Sequence, residues 1–129
     1  MNILVYDNSP AVRTMIQRNI LDLQHSINIV LAPNMFLVNK ALCNSNFNVA
    51  IIDMDNLEGM FSSFIERAKL HNPDITIILL TSFPTQKLFE KFKIKGVDYC
   101  LDKVREFERF IKTIYSILSR YPQLSSAAS

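Results

Sequence analysis

Asp7-Asn8, Asp53, Thr81-Ser82 and Lys103 share one kind of position: each ends, or closely follows, a short apolar run. Those residue types suit phosphoryl transfer to a carboxylate. Asp53 is the candidate nucleophile, forming an acyl phosphate. The incoming group spreads negative charge over three oxygens, which must be offset before a carboxylate can attack it. A divalent cation held by Asp7 and Asn8, with Asp53 and Asp55 as further oxygen donors, would offset part of that charge. Mg²⁺ suits such a set because it takes oxygen ligands and keeps several waters. Lys103 would place a positive charge on another oxygen. The Thr81 hydroxyl would donate to a third, and its movement could switch the loop that follows. Each residue alone has a plainer reading. Asp7-Asn8-Ser9 can cap a helix, Thr81-Ser82 can cap the next one, Asp53 can face a loop, and Lys103 can be a surface lysine. The ordered set, one member per strand end, is what favours chemistry.

The elements that must position these groups are readable from periodicity. Asn2–Asp7, Ile27–Ala32, Asn48–Asp53, Ile75–Leu80 and Val97–Leu101 are apolar runs of strand length. Ser9 and Pro10 supply an N-cap and a proline at the first helical position. Val12, Met15, Ile16, Ile20 and Leu23 then mark a helix over roughly residues 10–24. A second helix is expected over Met35–Cys43. Phe61, Phe64, Ile65 and Ala68 mark a third that closes near His71. The fourth should run from about Pro84 to Ile94 and stop at Gly96. Phe107, Phe110, Ile111, Ile114, Ile117 and Leu118 give the clearest amphipathic helix. Strict alternation of strand and helix predicts a doubly wound α/β fold, a five-stranded parallel sheet with helices on both faces. Functional groups in such sheets gather at the carboxyl ends of the strands, so the four strand tips should converge. The expected organisation is one domain over residues 1–120 and a flexible tail over 121–129.

Apolar residues make up 49% and charged residues 20%, the balance of an ordinary soluble protein. The longest apolar runs are too short to span a bilayer, and no signal peptide is visible. Cys43 and Cys100 have no metal-binding spacing and read as small buried hydrophobes in a reduced, cytoplasmic protein. His25 and His71 read as capping or exposed residues near helix ends. The net charge of +2 is unevenly placed, with five Lys/Arg against seven Asp/Glu in residues 1–80 and nine against five in 81–129. The basic half could meet an acidic partner, but no recognition-helix or stacked-aromatic pattern accompanies it, so direct nucleic-acid binding is not expected.

Ile3-Leu4-Val5-Tyr6-Asp7-Asn8-Ser9-Pro10-Ala11-Val12-Arg13, Val49-Ala50-Ile51-Ile52-Asp53, Ile77-Ile78-Leu79-Leu80-Thr81-Ser82 and Gly96-Val97-Asp98-Tyr99-Cys100-Leu101-Asp102-Lys103 resemble the motifs of the response-regulator receiver family of two-component signalling. The resemblance spans residues 2 to about 120. It implies a flavodoxin-like sheet with strand order 2-1-3-4-5. It also implies Asp53 as phosphoacceptor, Asp7 and Asn8 as the Mg²⁺-binding pair, and Thr81 and Lys103 as the hydroxyl and lysine that contact the phosphoryl group. The implied donor is a phosphohistidine on a histidine kinase or phosphotransfer protein. Output would pass to a downstream protein, or to a second copy, through the fourth helix, fifth strand and fifth helix, made basic by Lys87, Lys91, Lys93, Arg109 and Lys112.

The sequence departs from the family pattern at several positions. Asn8 replaces the second acid of the pair. Asp55 lies two residues past Asp53, where it could restore the missing charge or position water for dephosphorylation. The following loop lacks a common proline and looks shortened before Gly59, and Val104 follows Lys103 in place of proline. Cys100 stands where the family often has the Tyr or Phe that reports the threonine movement. These departures motivate an alternative, a degenerate receiver acting as an interaction module without phosphorylation. Asp53-Met54-Asp55 also resembles the DxD strand end of haloacid-dehalogenase-type phosphatases, but that family's DxD sits on the first strand and its acidic metal pair comes late. No enzymatic turnover beyond self-phosphorylation and autodephosphorylation is expected.

Overall fold

The computed structural model describes residues 1–24, 26–55, 57 and 60–121. The expected flexibility of the tail beyond Tyr121, like the readings of His25 and Gly59, falls outside the described residues. In chain order the elements are β1 (Asn2–Tyr6), α1 (Pro10–Leu23), β2 (Asn28–Ala32), α2 (Met35–Asn44), β3 (Val49–Asp53), α3 (Phe61–His71), β4 (Thr76–Thr81), α4 (Gln86–Lys93), β5 (Tyr99–Asp102) and α5 (Phe107–Leu118). All four strand pairings are parallel, in the order β2-β1-β3-β4-β5. The doubly wound sheet is the one expected from the alternation, and its order is the flavodoxin-like one that the family resemblance implies.

Parallel strands buried on both faces need apolar side chains at almost every position. β3 meets that requirement from Val49 to Ile52, all buried, and ends on the buried carboxyl of Asp53. Alternation along the strands divides the interior in two. Leu4, Ala50, Ile52, Ile77 and Leu79 face a layer closed by α2, α3 and α4, including Phe61, Phe64 and Phe92. Ile3, Val5, Ile51, Ile78 and Leu80 face the layer closed by α1 and α5, including Ile16, Ile20, Phe110 and Ile114. Tyr99 and Cys100 fall in opposite layers, as alternation requires.

Local signals fix most element ends. Ser9 Oγ accepts from the Val12 amide and Pro10 opens α1. Gly96 adopts φ 116°, and the Val97 amide returns to the Phe92 carbonyl at 3.1 Å, closing the turn after α4. A Cβ at Gly96 would also lie 2.6 Å from Lys69 Cε. Three expectations are corrected. β5 runs Tyr99–Asp102 rather than Val97–Leu101, because the Val97 amide is still held by the Phe92 carbonyl in the turn that closes α4. α4 starts at Gln86 rather than Pro84, because Thr85 caps it through the Leu88 amide. Cys43 is exposed rather than buried. Val38 and Leu42 define the buried face of α2, and Cys43 lies one residue, about 100°, around the helix from Leu42. His71 is exposed in the last turn of α3. Among the described residues, no helix is long and apolar enough to cross a membrane.

Two substitutions on α3 should separate core from surface. Phe64 is 0% exposed and Leu70 81%. Phe64→Ala should cost about 3–5 kcal/mol, and Leu70→Ala should stay within about 0.5 kcal/mol of the parent. Urea midpoints measure both.

Candidate functional site

The carboxyl ends of β1, β3 and β4 and the turn after β5 form one cluster. Asp7 and Asp53 are each 0% exposed, an unusual state for two carboxyls side by side. Lys103 joins them, with its Nζ 3.2 Å from Asp53 Oδ2 and 3.6 Å from Asp7 Oδ2. Burial favours the uncharged form of the Asp7 carboxyl, and with the nearby Asp53 charge it outweighs the Ser9 amide and Lys103, so the Asp7 pKa is raised. Burial would lower the Lys103 pKa, yet the Asp53 and Asp7 charges together raise it above the usual lysine value.

Backbone geometry aims these groups. Asp7 Oδ1 accepts the Ser9 amide at 2.9 Å, and Arg13 reaches back from α1 to donate to the Asp7 carbonyl at 2.6 Å. Asp53 Oδ1 accepts the Asp55 amide at 3.1 Å. Beyond β5, the Asp102 carboxylate accepts the Val104 and Arg105 amides, both at 2.8 Å. Glu106 accepts the Asp102 amide at 3.1 Å and the Arg109 guanidinium at 2.8 Å. This reciprocal pair shapes the turn that carries Lys103. The sequence reading gave Asp102 and Glu106 no role, although a carboxylate followed four residues later by glutamate, just before an apolar helix, is close to a capping-box signature. Arg13, though it lies in the first motif segment, was likewise given no role.

Thr81 is buried at the end of β4, but its hydroxyl donates to Asp55 Oδ1 at 2.8 Å. Ser82 meets the same carboxylate through its amide and its hydroxyl, at 3.0 and 2.7 Å from Oδ2. Burial would raise the Asp55 pKa, but the Ser82 and Thr81 hydrogen bonds outweigh it and hold the carboxyl below the usual range. Asn8 is exposed on the β1–α1 loop. The structure therefore draws Asp7, Asp53 and Lys103 together, with Thr81 held at the rim by Asp55. Cys100 is half-buried, and burial, helped by the Glu106 charge, pushes its thiol up to about 11, so it stays protonated at neutral pH.

Among the described residues, no group of three or more histidine, cysteine or acidic side chains is poised to hold a metal. A cation that keeps most of its waters needs fewer protein ligands than that. Asp7 Oδ2 is buried without a hydrogen bond, 3.6 Å from the ammonium and beside a second buried carboxylate. That unsatisfied oxygen and the excess negative charge fit a hard divalent cation.

No family model matches the sequence, and no curated protein matches it. Solved structures do match. The signal receiver domain of a DNA-binding response regulator from Colwellia psychrerythraea 34H is 21% identical, with a TM-score of 0.81, over 92% of this chain and 98% of that one. The response regulator TrrA from Thermotoga maritima, solved in complex with Mg²⁺-BeF, is 19% identical, with a TM-score of 0.71, over 90% of this chain and 97% of that one. An atypical orphan response regulator, described as having a phosphorylation-independent regulatory mechanism, is 14% identical, with a TM-score of 0.77, over 95% of this chain and 99% of that one. The chain has the fold of response-regulator receiver domains.

Asp7→Asn keeps the shape and removes one of two buried like charges, so it should stabilise the fold by about 1 kcal/mol, read from the urea midpoint. Glu106 is held below the usual glutamate range by the Asp102 amide and Arg109. A depressed carboxyl stabilises the fold above its unfolded pKa and loses that contribution as pH falls through its folded pKa. Glu106→Gln should therefore lose less stability than the parent on acidification from neutral pH to below roughly pH 4, measured by denaturation at each pH.

Proposed function

We propose that the protein is a phosphoacceptor receiver that takes a phosphoryl group on Asp53. The observation that supports this most is the buried Asp53 carboxylate, 3.2 Å from Lys103 and next to Asp7 at the carboxyl edge of the sheet. In the transfer, an Asp53 oxygen forms a bond to phosphorus as the P–N bond of a phosphohistidine breaks. The electron pair of that bond leaves with the imidazole, on a histidine kinase or phosphotransfer protein. Lys103 holds positive charge against the phosphoryl oxygens, and Thr81 offers its hydroxyl once Asp55 releases it. Asp7, Asn8 and Asp53 would hold Mg²⁺, which supplies further charge neutralisation when bound. Asp55 could join that set only by releasing Thr81 and Ser82. The signal would pass to a downstream protein through the face of α4, β5 and α5, where Lys87, Lys91, Lys93, Arg109 and Lys112 are all exposed. A second copy could use the same face.

A phosphorylation-independent interaction module is the second reading. The engagement of Thr81 and Ser82 by Asp55 favours it, and the likeness to an atypical orphan regulator is in keeping with it.

Incubation with acetyl phosphate and Mg²⁺, followed by intact-mass analysis, tests the first reading. One phosphate should add to the parent chain, and none to Asp53→Asn or without Mg²⁺. Lys103→Ala should slow labelling by roughly 10²-fold. A label that survives Asp53→Asn would exclude Asp53 as the acceptor. An unlabelled parent would favour the second reading, and turnover of phosphate esters would point instead to a phosphatase.

A further inference from the structure

We infer that Asp55 is a positioning residue that stands in for a bound anion: its carboxylate, rather than a group added to Asp53, holds Thr81 and Ser82 and so sets the β4–α4 loop in the resting protein. Three donors converge on this one side chain. The Thr81 hydroxyl lies 2.8 Å from Oδ1, the Ser82 hydroxyl 2.7 Å from Oδ2, and the Ser82 amide 3.0 Å from Oδ2 and 3.3 Å from Oδ1. A hydroxyl, a second hydroxyl and a main-chain amide around two anionic oxygens make a small anion cradle. Here the chain fills it with its own carboxylate, from a residue 26 positions before Thr81.

The contact extends both ways. Thr81 Oγ1, while donating to Asp55, accepts the Phe83 amide at 3.2 Å. Phe83 is 77% exposed, so the chain that displays this ring is tied to the carboxylate through Thr81. On the other side, the Asp55 amide donates to Asp53 Oδ1 at 3.1 Å. One residue therefore links the central carboxylate to the loop leading into α4. The Thr81 hydroxyl has a single proton, and an acceptor bound at Asp53 can have it only after Asp55 lets go. That competition rests on the proposed phosphoacceptor role, whereas the resting clamp does not.

Amide hydrogen exchange of the full chain without any phosphodonor tests the clamp. Ser82 and Phe83 should be protected in the parent, and their exchange should rise roughly tenfold in Asp55→Ala, the loss of about one hydrogen bond to a charged acceptor. Asp55→Asn, with one acceptor oxygen and no charge, should fall between. Protection at Ile51 in β3 should persist in both, showing that the fold is intact. Equal exchange at Ser82 and Phe83 in the parent and both variants would overturn the inference. Beryllofluoride with Mg²⁺ is then added to Asp55→Ala. Restored protection at Ser82 supports the exchange of one anion for another, and binding without restored protection overturns it. If beryllofluoride binds neither protein, the phosphoacceptor reading falls, and the donor-free comparison still decides the clamp.

Discussion

The geometry of this domain's polar edge depends on one ammonium group shared by two buried carboxylates. Lys103 lies between Asp53 and Asp7, both withdrawn from water. A lone buried charge is costly, and two like charges cost more. The pair is tolerable because the lysine is delivered to it by a separately stabilised turn. The Asp102 carboxylate caps two amides of that turn, and Glu106 closes it from the α5 side. The register Thr81↔Asp102 places the turn against the end of β4. Sheet register, capping and charge pairing are thus parts of one arrangement.

The uneven charge along the chain takes on a spatial meaning in this fold. Asp7, Asp53 and Asp55 of the first half lie at or just past the carboxyl ends of β1 and β3. Lys87, Lys91, Lys93, Arg109 and Lys112 of the second half are exposed on α4 and α5, while Lys103 turns inward. The Lys91 and Lys93 ammonium groups lie over the Phe92 and Phe89 rings, at 5.3 and 5.8 Å from their centroids, within the range of a cation–π attraction.

Much of this was legible in the sequence. Alternating apolar runs and amphipathic stretches specify strand and helix wherever both faces of a parallel sheet must be covered, and the strand ends then mark where polar groups collect. The same reasoning placed Asp7, Asp53 and Lys103. It went no further where a side chain's direction depends on a loop rather than on a period. Asp55 follows the last residue of β3 by two, and nothing in its spacing reveals that it turns toward β4. Periodicity also blurred the start of α4, where Pro84 and Thr85 are both plausible openers and only the hydrogen bond to Leu88 decides. Cys43 shows the sharper limit: on a helix, one step from a buried leucine is enough to reach solvent.

β5 is an edge strand of only four residues, half-buried at Tyr99 and Cys100. Asp98, just before it, accepts the Ile77 amide through its carboxylate at 2.8 Å and donates its own amide to the Ile77 carbonyl at 2.9 Å. A side chain thus completes the ladder where a longer strand would have continued it. The free rim left for a foreign strand is short and has an aspartate at each end, Asp98 and Asp102. Such a rim is a poor template for strand addition, so a partner on the side where the signalling surface is proposed to lie would meet side chains rather than a free backbone edge.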